Sequence, residues 1–221
     1  VKRGGQTEPP STLTYSSVVS RESVRLTFLI AALNDLDCEM FHIGNAYLNA
    51  PTTEKIYVPK AGIEFGENAG KVLIITRALY RLKSPGAAYR SFFVQSLQDM
   101  GFKSCLSDAD VWQRAAVKED GTKYYECILT YVDGCLFISV DVKAITRQLK
   151  DEFEYVLKDE APSTQYFGAT TGKYQLDTET SAWFMSAELY LKKAIMKTEM
   201  KWGNLSKMFN GQHLDVPVMV G

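Results

Sequence analysis

Two histidines and four cysteines are all that this chain of 221 residues offers a soft metal ion. Cys38, Cys105, Cys127 and Cys135 stand singly in apolar surroundings, with no Cys-x-x-Cys spacing and no paired histidine, so a zinc centre is not expected. Positive charge is not in excess either: 25 Lys and Arg stand against 26 Asp and Glu, a net charge of −1. Nucleic-acid-binding domains usually carry a basic excess, so such a surface has to be built locally. Lys2 and Arg3, Arg77 to Lys83, and Lys192 to Lys207 are the basic clusters, against an acidic run from Asp151 to Glu160; solvated surface is the plainer reading of each. The sequence shows no signal peptide and no apolar run of membrane-spanning length. The expectation is therefore an intracellular protein, cytoplasmic or nuclear and not secreted, with buried thiols. Repeats and low-complexity tracts are absent. The chain opens at Val1 rather than Met and stops at Gly221, which reads as a piece of a longer frame.

What is present is a strong core signal. At 46% hydrophobic residues the chain is long enough for one large domain, or one domain with a subdomain. Ile128 to Ile138 is two apolar runs about Asp133-Gly134. An Asp-Gly pair between strand formers is the strongest short-range hairpin signal, because Gly takes positive φ without strain. The spacing predicts helices over about 21–35, 85–101, 142–153 and 187–200. Strands are expected over 38–43, 55–58, 71–75, 110–116, 124–132, 135–140, 165–168, 173–176 and 183–186, with a turn from Asn45 to Asn49 and order beginning at Tyr15 to Val19. Ser20 is the expected N-cap of the first helix, and Pro85 and Gly101 bracket the second. Trp183, Phe184, Met185, Tyr190, Met196, Met200 and Trp202 read as core packing. The fold class is α+β, an antiparallel sheet with helices packed on one face.

Several segments now agree with a known pattern. Tyr15 to Arg25, Asn45-Ala-Tyr-Leu-Asn-Ala-Pro51, Ala78-Leu-Tyr-Arg-Leu-Lys-Ser84, Gly101-Phe-Lys-Ser104, Asp108-Ala-Asp-Val-Trp112, Tyr131-Val-Asp133 and Tyr166-Phe-Gly-Ala169 occur in order. In these motifs the chain resembles the reverse transcriptase of copia-type retrotransposons, from about residue 4 to about residue 200. The resemblance implies a right-hand polymerase: fingers over about 1–110 interleaved with the first palm strand, palm with the active-site hairpin over 111–170, and a palm–thumb connection over 171–221. The implied partners are an RNA or DNA primer–template and a deoxynucleoside triphosphate. The implied cofactor is a pair of Mg2+ ions, roughly 3.5–4 Å apart, that stabilise the attacking and leaving oxygens.

Magnesium wants oxygen ligands, and the family supplies three carboxylates. Their positions map to His42, Asp133 and Gly134, so Asp133 alone remains as a metal ligand. Neutral imidazole is a good ligand for zinc or copper and a poor one for magnesium, so His42 reads either as a metal ligand of altered preference or, more plainly, as a residue that simply occupies the old position. Asp37, about 16 Å back along a strand, and Asp141, about 26 Å beyond Asp133, are out of reach; Glu39 projects from the other face. Tyr47 maps to the aromatic beneath the incoming sugar, with a half-buried tyrosine after a strand as the equal alternative. Lys83 and Arg77 are candidate phosphate contacts, with solvated surface weighing more. Arg81 stands where the pattern has Gly, so a positive φ there would strain it. The cations that grip the triphosphate come from a hairpin upstream, where this chain has only Lys2 and Arg3. The expectation is a polymerase fold whose chemistry is lost or nearly so; the rivals are a non-catalytic nucleic-acid-binding module and a mobile-element remnant without a role.

Overall fold

The computed structural model describes residues 16–158, 164–175 and 181–208. Lys2, Arg3, Tyr15, Glu160 and Leu176, on which some expectations rested, lie outside the described residues, as does the side chain of Trp202.

Helix α1 (Arg21–Leu33) starts where the sequence predicts, because the Ser20 hydroxyl accepts a hydrogen bond from the Ser23 amide at 3.2 Å. It leads into β1 (Asp37–His42), a single helical turn α2 (Ala46–Asn49), and the hairpin β2 (Pro51–Val58) and β3 (Leu73–Arg77). Helix α3 (Pro85–Asp99) has Pro85 at its first position. Gly101, at φ +87°, turns the chain out of it. Then come β4 (Lys103–Ser104), β5 (Val111–Val117), β6 (Lys123–Tyr131), β7 (Gly134–Ser139) and α4 (Val142–Asp151), the last capped by the Asp141 carboxylate. A small sheet of β8 (Gln165–Tyr166), β9 (Ala169–Gln175) and β10 (Ser181–Ser186) precedes α5 (Glu188–Met208). The expected turn over Asn45 to Asn49 is α2, with Asn45 left-handed at φ +49°. A 3-10 segment, Ile63–Asn68, lies in the connection between β2 and β3.

The central sheet is antiparallel, in the order β1-β7-β6-β5-β4. The sequence predicted helices on one of its faces; the structure covers both. Cys135 and Phe137 of β7 join Phe41, Trp112 and Ile128 in a core with α3 and α4. Leu136 and Ile138 point the other way, into a core with Val24, Phe28 and Ala31 of α1 and Tyr166 of β8. Every residue of β7 is buried for that reason. The expectation failed because an uninterrupted apolar run such as Cys135 to Ile138 carries no period-2 signal to reveal a second covered face.

The distal aromatics divide. Trp183 stacks on Phe28 with centroids 5.9 Å apart, and Met185 packs nearby. Phe184 of β10 is exposed, and so are Tyr190, Met196 and Met200 of α5, contrary to the core reading; for the last three the reason is that α5 touches mainly β9. Of the thiols, Cys127 and Cys135 are buried and Cys38 and Cys105 half-buried, all four free. Burial pushes the Cys127 thiol up to about 11 and those of Cys38 and Cys135 higher still.

One polar network crosses the core. Arg114 bonds the Glu126 carboxylate at 2.7 and 2.8 Å, the Met100 carbonyl at 2.7 Å and Gln148 at 3.1 Å. Ser139 donates to the other Glu126 oxygen at 2.9 Å. The network ties the end of α3 and the side of α4 to three strands. Arg114→Met, which leaves Glu126 buried and unpaired, is expected to lower stability by about 3 kcal/mol in urea denaturation, and Arg114→Met with Glu126→Leu to recover most of that loss.

Candidate active site

Two strand pairings converge on one end of the central sheet. His42, the last residue of β1, is the register partner of Gly134, the first of β7. Beyond them the Ile43 amide donates to the Asp133 carbonyl at 2.7 Å. The three positions 42, 133 and 134, separated by about ninety residues of sequence, are thus immediate neighbours. A Cβ built on Gly134 would lie 3.7 Å from the His42 imidazole.

The hairpin tip is not the expected Asp-Gly turn. Tyr131 pairs with Gly134, so the two loop residues are Val132 and Asp133, and Val132 is the left-handed one at φ +57°. Gly134 has no positive φ and opens the strand. A β-branched residue in this region is strained. Arg81 is likewise left-handed at φ +71°, in line with the strain anticipated at that position.

Asp133 faces a cation. Its carboxylate lies 3.3 Å from the Lys158 ammonium. Lys158 is brought there by a short pairing beyond β1: Ile43 bridges Leu157, and the Lys158 amide donates to the His42 carbonyl at 2.9 Å. Asp37 sits at the other end of β1, opposite Ser139, five residues from His42 or about 16 Å of strand. The carboxyl of Glu39 is raised by burial and then by Asp37, with Asp141 also near, which groups these acids away from the tip. Among the described residues no three His, Cys, Asp or Glu side chains form a group that could hold a metal ion. Two magnesium ions need several carboxylate oxygens; His42, Gly134 and an Asp133 already paired with an ammonium do not fit that pair.

Tyr47, on α2, packs its ring against Tyr80 at 4.5 Å and Tyr89 at 6.0 Å. Burial, then the charge of Asp133, raises its phenol above the ordinary value, so it stays a neutral donor. A cavity of about 80 Å3 beside the tip is lined by Tyr47, Tyr89, Arg90, Asp110, Thr130 and Val132, among others. Arg90 bonds the buried Asp110 at 2.9 Å, and Asp110 accepts from the Thr130 hydroxyl at 3.1 Å, steadying β6 just before the hairpin. The Asp108 carboxylate accepts from the Ser20 amide at 3.0 Å and the Ser23 hydroxyl at 2.6 Å, joining α1 to the same sheet end.

Arg77 and Lys83 lie at either end of the turn that leads from β3 into α3. Arg77 donates to the Asn49 carbonyl at 2.8 Å and so closes α2; Lys83 is half-buried in the turn before α3, near Ser84, whose hydroxyl bonds Glu54. Sequence reasoning missed Lys158 and the ring of Phe167. Phe167 is left-handed at φ +58°, followed by Gly168 at φ +75°, a type I′ pair that turns β8 into β9. Its ring lies 4.4 Å from Tyr131, with the Arg21 guanidinium 5.8 Å above it. Phe-Gly in the quoted Tyr166 to Ala169 motif was the available signal for Phe167; no local pattern announces Lys158.

A hairpin tip hydrogen-bonded to the end of a neighbouring strand, with that strand's last residue in register beside it, accords with the motif order read from the sequence. A family model described as reverse transcriptase (RNA-dependent DNA polymerase) matches residues 10–208. The chain belongs to the reverse transcriptase family. No curated protein and no solved structure matches it. Membership of the reverse transcriptase family implies a nucleic-acid template as partner. Among the described residues no helix is long and apolar enough to cross a membrane.

The turn geometry separates substitutions to glycine from a substitution of glycine. Val132→Gly and Arg81→Gly, which relieve left-handed strain, are each expected to raise stability by about 1 kcal/mol in thermal denaturation. Gly134→Ala, at an ordinary φ and with its new Cβ no closer than 3.4 Å to any neighbour, is expected to change stability by less than about 0.5 kcal/mol; a loss above about 1 kcal/mol would restore the Asp-Gly turn reading.

Proposed function

We propose that this chain is a copia-type reverse transcriptase palm, with fingers over about 1–110 and a palm–thumb connection over 171–221, whose two-metal nucleotidyl transfer is lost or nearly so. One observation carries the reading: the positions that the family resemblance assigns to carboxylates adjoin one another, and two of the three are His42 and Gly134. Asp133 is the surviving candidate ligand, Tyr47 the candidate platform for the sugar of a deoxynucleoside triphosphate, and Lys83 and Arg77 the candidate phosphate contacts, Arg77 only if it leaves the Asn49 carbonyl.

Binding without chemistry is the second reading, and the Tyr131–Phe167–Arg21 cluster favours it. Two half-buried rings and a guanidinium beside the tip suit stacking on a terminal base, an interaction worth about 1–3 kcal/mol per base. With a net charge of −1, the phosphate contribution is small.

Primer extension on an RNA template with Mg2+ or Mn2+ tests the first reading. The unmodified chain is expected to give none, and the His42→Asp, Gly134→Asp double variant to regain extension that Asp133→Asn abolishes. Extension by the unmodified chain, abolished by Asp133→Asn, would sink the claim of lost chemistry. For the second reading, binding of a primer–template duplex at low salt is expected to weaken about five- to a hundredfold in Phe167→Ala, and no binding at low salt would remove it.

A further inference from the structure

We infer that Lys158 is the resident cation of the hairpin tip: its ammonium supplies the counter-charge to Asp133 that a divalent ion would supply in a site with all its carboxylates. The inference rests on the reading of lost chemistry and says what took its place.

The placement is built rather than accidental. Leu157 is buried in the core between β1 and α4, which pins the residue before Lys158. The backbone on either side of it is held by the Lys158 amide on the His42 carbonyl at 2.9 Å and the Gly44 amide on the Val156 carbonyl at 2.5 Å. Gly44 permits that approach, since a Cβ there would meet the Val156 carbonyl oxygen at 2.9 Å and something would have to shift. Segment 156–158 therefore lies against the end of β1, and the lysine stem reaches across it to the Asp133 carboxylate at 3.3 Å. Among the described residues no second carboxylate pairs with the ammonium, and position 134 is Gly and position 42 is His. With a single carboxylate at the tip, one monovalent cation neutralises it, whereas a site of three would be left strongly anionic.

Two consequences follow. Asp133 acts as a positioning residue that ties the hairpin tip to segment 156–158, and the tip needs no divalent ion to be stable. The Asp133 and Lys158 side chains are 33% and 49% exposed, so solvent screens the pair and the coupling is modest.

A double-mutant cycle of Asp133→Asn and Lys158→Met, read by urea denaturation of the full chain in EDTA, tests this, with Mn2+ titration of the unmodified chain followed by electron paramagnetic resonance. The expected result is that the two substitutions are non-additive by about two- to fivefold in the unfolding equilibrium constant. Lys158→Arg is expected to keep the coupling, Gly44→Ala to reduce it, and the Mn2+ signal of the unmodified chain to be undiminished. An additive cycle overturns the inference and leaves the reading of lost chemistry standing. Mn2+ binding to the unmodified chain that Asp133→Asn removes overturns both.

Discussion

The antiparallel register of β1 against β7 is the constraint on which the site depends. His42 opposite Gly134, continued by the Ile43 amide on the Asp133 carbonyl, fixes which side chains share the hairpin tip. A slip of one residue would turn Phe41 and Met40 to the wrong cores, since neighbouring strand residues face opposite sides. Phe41 and Phe137 pack edge to face at 5.9 Å on one side, and Met40 and Leu136 are buried on the other. With each large buried side chain contributing about 1.5–3 kcal/mol, the register is set by the core and not by the tip. The tip inherits its geometry.

That separation lets the side chains at the tip vary while the fold stands. His42, Asp133 and Gly134 lie at the sheet end, outside both hydrophobic clusters, so a substitution there opens no cavity in either core. The left-handed Val132 is tolerated because β7 is buried throughout and residues 126–129 of β6 are buried, which holds the hairpin on either side of it. Asp110, bonded to Arg90 and Thr130, and Asp108, bonded to Ser20 and Ser23, brace the same end from α3 and α1. These two acids of the Asp108-Ala-Asp110 motif therefore act through the scaffold.

Much of this was legible in the sequence, and the reasons differ by element. Helices α1, α3 and α4 announce themselves by a capping serine, a leading proline with a closing glycine, and Val142, Ile145 and Leu149 at helical spacing. The hairpin of β6 and β7 was legible as existing, but Asp-Gly placed its turn one residue late. Local preference for Gly at positive φ lost to the pairing of Tyr131 with Gly134, which the cores dictate. The second covered face was not legible, because a strand buried on both sides looks the same as a merely apolar run. The exposed side of α5 was misread for a related reason: Tyr190, Met196 and Met200 are apolar, yet composition cannot tell which of a helix's faces finds a neighbour. Lys158 was invisible, since it meets Asp133 across twenty-five residues through a backbone bridge that no spacing rule encodes.

The most direct test of the account is a crystal structure of the unmodified chain beside that of the His42→Asp, Gly134→Asp variant, both soaked in Mn2+ and read by anomalous scattering. The predicted result is no anomalous peak at Asp133 in the unmodified chain, where the carboxylate faces Lys158, and a peak bounded by residues 42, 133 and 134 in the variant on an unchanged register of β1 and β7. A peak at Asp133 in the unmodified chain, or β1 and β7 found in another register, would contradict it.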